Sequence, residues 1–193
     1  MKKTLALLLS CMLVIAVVTA MAIFTSADVV VAPSVNVNVG GTTTTLNATT
    51  TTVATTTGTA VFDATTGTLT ITNTTGIQQI IGTNAGTVLT VKVVGDNAIG
   101  AEGVNNILWG NEGDLVVTGD GKVDIIGKEY LFGGNANVTV DGPTLNVNGN
   151  GWSQVHIGAR SNNGVLTFKG DSVINITNKS SGPAIDVAGI CSS

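Results

Sequence analysis

Asp96, Asp120, Asp141 and Asp171 each follow a short apolar run, at a step that also carries glycine or asparagine. Carboxylates returning at one position of a repeating chain, beside backbone carbonyls, are what a hard cation with six to eight oxygen ligands requires, so calcium is the cation they would hold. Asp114, Asp124, Glu102, Glu112 and Glu129 are further oxygen donors. A plainer reading competes and carries more weight: Gly-Asp and Asp-Gly are good turns without any ligand. Trp109, Tyr130 and Trp152 are the aromatic side chains able to stack on the C–H faces of sugar rings. Trp109 precedes Gly110 as Ile81 precedes Gly82, Phe132 precedes Gly133 and Ile157 precedes Gly158, which reads as a core position. Tyr130 and Trp152 fall between the repeats and are the better sugar platforms, with packing over a coil the alternative for Trp152. Arg160, the one arginine, has the fork geometry to grip a carboxylate. An ordinary solvated charge is the stronger reading for it, as an inert surface imidazole is for His156.

The same inventory excludes several chemistries. One histidine, and one cysteine (Cys191) once the N-terminal segment is set aside, leave no Cys/His metal site and no internal disulfide. No Ser/His/Asp grouping, phosphate loop or nucleotide fingerprint is present. A β-helical polysaccharide lyase needs a base to abstract the proton and metal-binding acids on the same face. Arg160, Lys128 and Lys169 show no such partner pattern, so the chain is not expected to be an enzyme. Beyond Lys2 and Lys3 the basic residues are Lys92, Lys122, Lys128, Arg160, Lys169 and Lys179, which are scattered. Without the two N-terminal lysines the formal net charge falls from −4 to −6, which argues against nucleic acid as a partner.

The elements that must position these residues are strands. Charged residues make up 10% and aromatics 4%, while Val, Ile and Thr dominate, a profile that suits a pleated surface rather than a helix. A hydrophobic fraction of 43% argues against disorder. Residues 1–27 are set apart: Met1-Lys2-Lys3 is a positive start, an uncharged apolar run follows, and small-x-small sites end at Ala22 and Ala27. This is the pattern of a secretory signal peptide, with an uncleaved membrane anchor as the alternative. A lipoprotein box ending at Cys11 comes too early in the run. Each of these readings places the rest of the chain outside the cytoplasm.

Residues 28–67 form a threonine-rich lead-in. Val35, Val37 and Val39 alternate with Asn36 and Asn38, and two further alternating runs flank 63–67, so strands capping the domain are expected over a flexible linker. From residue 68 to 193 the chain repeats. Leu69, Leu89, Leu115, Val138 and Leu166 are the anchors of successive units, and a spacing in the twenties with short strands per unit is the signature of a solenoid. The expectation is an all-β fold, a right-handed single-stranded parallel β-helix of about five coils. Inward Val, Ile and Leu form a shared core, and Gly, Asp and Asn mark the corners. The last unit restarts at Ile185 and stops, which reads either as a fragment or as an uncapped edge open to end-to-end self-association.

Residues 58–71 (GTAVFDATTGTLTI) and 113–127 (GDLVVTGDGKVDIIG) carry a resemblance. They resemble the lead-in and coil motifs of secreted β-helix proteins described as carbohydrate-binding domain-containing, common in clostridial and gut Firmicutes. The resemblance extends over about residues 35–188 and implies an extracellular, non-catalytic polysaccharide-binding role, with acidic plant polysaccharide and calcium reported for some relatives. A polysaccharide or cell-wall glycan is therefore the expected partner, and a cell-surface or secreted location the expected one. The competing reading is a structural or adhesive spacer within a larger surface protein.

Overall fold

The computed structural model describes residues 32–82, 84–150, 157–159 and 164–178, and every regular element among them is a β-strand. Residues 1–27, expected as an N-terminal signal or anchor helix, lie outside these residues, as do Trp152, His156, Arg160 and Cys191.

The lead-in folds as antiparallel strands: β1 (Val35–Val39), β2 (Thr42–Leu46), β3 (Thr52–Val53), β4 (Thr57–Asp63) and β5 (Thr68–Thr75). β1 pairs with β2, β3 with β4, and β4 with β5. Period-two alternation drives this arrangement. Val35, Val37, Leu46, Ala60 and Phe62 are buried, while threonines and asparagines between them stay at the surface. The tight link between β4 and β5 is an Asx turn. Asp63 Oδ1 accepts from the Thr65 N–H at 2.9 Å, and Oδ2 accepts from the Thr66 hydroxyl at 2.9 Å. β6 (Ile77–Gly82) then receives β1 on its other edge, antiparallel.

Beyond β6 the chain coils. The first turn is β7 (Val88–Val94), β8 (Asp96–Gly100) and β9 (Leu108–Trp109). The second is β10 (Asp114–Gly119), β11 (Lys122–Gly127) and β12 (Phe132–Gly134). The third is β13 (Val138–Asp141), β14 (Thr144–Gly149) and β15 (Ile157–Ala159), and β16 (Leu166–Lys169) with β17 (Val173–Asn178) begins the fourth. Equivalent strands pair in parallel from turn to turn. The first face is β5-β7-β10-β13-β16, the second is β8-β11-β14-β17, and the third is β6-β9-β12-β15. The result is a β-solenoid of about four turns, against the five counted from the repeat. The Leu69 segment accounts for the difference: β5 carries antiparallel β4 on its outer edge and runs into β6 across Gly76, so it is a seam between cap and stack.

Register gives the core its columns. Leu89, Leu115, Val138 and Leu166 stand directly above one another, at 0–5% exposure. Leu69 belongs to the neighbouring column: it pairs with Val91, and that row continues through Val117, Val140 and Phe168. A two-residue shift keeps the same side inward, so the core is preserved although the alignment is displaced. On the second face Ile99, Ile125, Val147 and Ile176 stack, and on the third Ile80, Leu108, Phe132 and Ile157 are in register. Each such side chain, when fully buried, contributes roughly 1.5–3 kcal/mol over exposure.

The corner between first and second faces is short in every turn. It is Gly95 alone in the first turn, Asp120 with Gly121 in the second and Gly142 with Pro143 in the third. The buried Asn97 closes it on the inside: Oδ1 accepts the Thr74 N–H at 2.9 Å, and Nδ2 donates to the Val94 and Gly95 carbonyls at 3.1 and 3.2 Å. A buried carboxamide is tolerated because its hydrogen bonds are made. At the corner leading back to the first face, Asp114 Oδ1 accepts the Asn137 N–H at 3.0 Å, and Asn137 Oδ1 accepts the Val165 N–H at 3.1 Å.

Candidate functional site

Alternation along the second face turns every other side chain outward, and the parallel register lines those side chains up across turns. Asp124, Asn146 and Asn175 fall in one such column, below Ala98. Asn146 Nδ2 donates to Asp124 Oδ1 at 2.6 Å, and Asn175 Nδ2 donates to Asn146 Oδ1 at 2.8 Å. The three side chains thus form a hydrogen-bonded ladder across three turns. Asp96, Lys122, Thr144 and Val173 make the parallel column on one side, and Gly100, Ile126, Asn148 and Thr177 the column on the other. Lys122 Nζ lies 3.5 Å from Asp124 Oδ2; both side chains are more than a third exposed, so the pair adds little stability.

This ladder was missed by reasoning from the sequence, although a signal for it was present. Asp124 sits between Val123 and Ile125, Asn146 between Leu145 and Val147, and Asn175 between Ile174 and Ile176. An acid or amide flanked by two inward residues, once per repeat, marks an outward column of hydrogen-bonding groups.

The four corner aspartates do not share a rung. Asp96 opens β8 and pairs in register with Lys122, whereas Asp141 closes β13 and pairs with Thr118 and Lys169. Asp120 and Asp171 sit in the corners themselves. Corner length changes from turn to turn and slides the carboxylates along the chain direction. Among the described residues no three His, Cys, Asp or Glu side chains converge as a cation site. Among the described residues Asp63 is the carboxyl that its surroundings shift: the Thr65 backbone N–H, then the Thr66 hydroxyl, hold it below the ordinary value of 3.8. Those bonds belong to the turn and serve no ligand.

The corner between second and third faces is less regular. Tyr130 lies there, half-buried, with φ of 52°, and Asn106 on the neighbouring turn has φ of 53°. A left-handed backbone at a bulky residue is strained and costs on the order of 1–3 kcal/mol. The Tyr130 ring meets Trp109 nearly edge-on, with centroids 5.7 Å apart and planes at 68°. Trp109 is 5% exposed yet stands apart from the main core cluster. Its register partners are Ile81, as the apolar-Gly column expects, and Gly133, one place off the expected match to Phe132. Trp109 is therefore too covered to stack on a sugar, and it supports Tyr130 from the side. Nearby, the carboxamide oxygens of Asn105 and Asn150 are buried without a hydrogen-bond partner among the described residues, at a cost of about 1–3 kcal/mol each. Of the expected sugar platforms, Tyr130 is placed at this corner, while Trp152 and Arg160 lie outside the described residues.

No family model, no curated protein and no solved structure matches the chain.

Proposed function

We propose that the chain is an extracellular, non-catalytic module that binds a polysaccharide along the outside of its solenoid. Residues 1–27 act as the export signal, and the chain winds to the right, as crossovers between parallel strands do. The observation that carries this reading is the outward column Asp124–Asn146–Asn175, which repeats hydrogen-bonding groups at the spacing of the turns. A polymer with its own repeat can meet such a surface at several points, each weak alone. The resemblance of residues 58–71 and 113–127 to secreted β-helix carbohydrate-binding proteins supports the same reading. Calcium enters as an assisting cation at single corner aspartates, Asp96, Asp120, Asp141 or Asp171, with the polymer's own oxygens completing its shell.

Screening the full chain against a polysaccharide array, with calcium and with a chelator, tests this. Binding to at least one polysaccharide is the expected result, and its loss on chelation would establish the calcium-assisted form. Silence against every sugar in both buffers would overturn glycan binding and leave a structural spacer as the better account.

A further inference from the structure

Resting on the glycan-binding reading above, we infer that the ligand is a neutral, extended polysaccharide that lies along the coil axis on the second face, over Asp124, Asn146 and Asn175. The direction follows from where the chemistry repeats. Along strand β11 the outward residues are Lys122, Asp124 and Ile126, three different kinds of group. Down the column they are Asp124, Asn146 and Asn175, three planar hydrogen-bonding groups about 4.8 Å apart. A chain of similar sugars finds similar partners from turn to turn in the second direction, whereas along the strands only β14, with Thr144, Asn146 and Asn148, offers a like run.

The ladder also arrives pre-ordered. Asn146 and Asn175 each spend one amide hydrogen on the preceding turn, which fixes their rotamers and leaves a second N–H for a hydroxyl. Side chains already held in place lose little entropy on binding. Next to the ladder Ile126 is 38% exposed and offers an apolar surface to the C–H face of a sugar. Thr144, Asn148 and Thr177 add polar groups on the flanks.

Charge decides between neutral and acidic polymers. Lys122 is the only Lys or Arg in β8, β11, β14 and β17, and it is engaged with Asp124. Of the side chains of these strands, a polyuronate would find a single cation, Lys122, already paired with Asp124, and would meet the Asp124 carboxylate. A polymer carrying only hydroxyls meets donors and acceptors without that repulsion.

Equilibrium binding of the full chain to a neutral β-linked glucan, a mannan and a polygalacturonate tests this, together with neutral oligosaccharides of increasing length. A neutral polymer should bind, and affinity should climb with oligosaccharide length. Asn146→Ala should weaken binding about tenfold through loss of a hydrogen bond and of the ladder's order. Asn175→Ala, at the end of the ladder and exposed, should weaken it less. Thr139→Ala, outward on the first face, should leave it unchanged, with circular dichroism confirming that all variants fold. Wild-type affinity in both asparagine variants, or tighter binding to polygalacturonate than to any neutral polymer, would overturn this inference while glycan binding stood. A wild-type chain that binds none of the polymers would bring down the glycan reading itself.

Discussion

Two corners of the same coil are built in opposite ways. The corner between first and second faces has one to three residues per turn, is rich in glycine and is closed by backbone hydrogen bonds such as Lys122 N–H to Gly95 O at 2.8 Å. The corner between second and third faces spans 101–107 in one turn and 128–131 in the next. It holds left-handed Asn106 and Tyr130, the Trp109–Tyr130 contact, and the buried oxygens of Asn105 and Asn150, unpartnered among the described residues. The first corner keeps the turns stacked at constant height, so that outward columns can form. The second absorbs changes of length and carries the strain. Regularity at one corner is what lets the other vary without disturbing the core.

The largest expected effect contrasts a glycine from each. Gly119 ends β10 with φ of 118°, and an added Cβ would sit 2.1 Å from the Val93 carbonyl oxygen on the turn below. Gly103 also has a left-handed φ, 79°, but nothing lies within 4 Å of its Cβ position. Gly119→Ala should cost about 4 kcal/mol, because the stack itself must open. Gly103→Ala should cost only the left-handed penalty of about 1–2 kcal/mol. Urea unfolding of both variants checks this, and equal losses would show that the two corners are constrained alike.

A smaller effect sharpens the account of the strained corner. Replacing Tyr130 by alanine removes the contact with Trp109 but keeps a Cβ in the left-handed region, whereas glycine removes the contact and relieves the strain. Tyr130→Gly should therefore be more stable than Tyr130→Ala by about 1 kcal/mol. Both should shift Trp109 fluorescence as the ring gains exposure. If alanine were the more stable, the φ of 52° would not be a source of strain.

What could be read in advance follows the same division. Leu89, Leu115, Val138 and Leu166 were legible because each opens an alternating strand bounded by Gly, Asp or Asn, and the short first corner keeps their spacing coherent. Leu69 was displaced by two residues because β5 runs through Thr72-Asn73-Thr74 with no glycine until Gly76, so no corner marks its register. Trp109 was displaced by one because the loops before β9 and β12 differ in length. Matching Gly110 to Gly133 hid the real pairing of Gly133 with Trp109. The Asp124–Asn146–Asn175 ladder needed both strands and register at once. Each residue alone reads as an ordinary outward polar group, and only the vertical pairing of turns makes them neighbours.

The smallest expected effect lies in the cap, where electrostatics can be separated from turn geometry at Asp63. Its carboxylate accepts from the Thr65 N–H and the Thr66 hydroxyl, which favours the charged form and lowers its proton affinity in the folded state. A carboxyl depressed on folding stabilises the folded protein above its unfolded-state value of 3.8, and that contribution fades as pH falls through the lower folded value. Asp63→Asn keeps a side-chain oxygen for the Thr65 N–H but removes the charge. The variant should be slightly less stable than wild type at pH 7, and the two unfolding midpoints should converge as pH is taken below 3.8. The side chain is fully exposed, so the gap should also shrink in high salt. A gap that stayed constant across the titration would assign the difference to turn geometry alone. The cap would then owe nothing to the charge of its turn, and would resemble the first corner in resting on backbone shape.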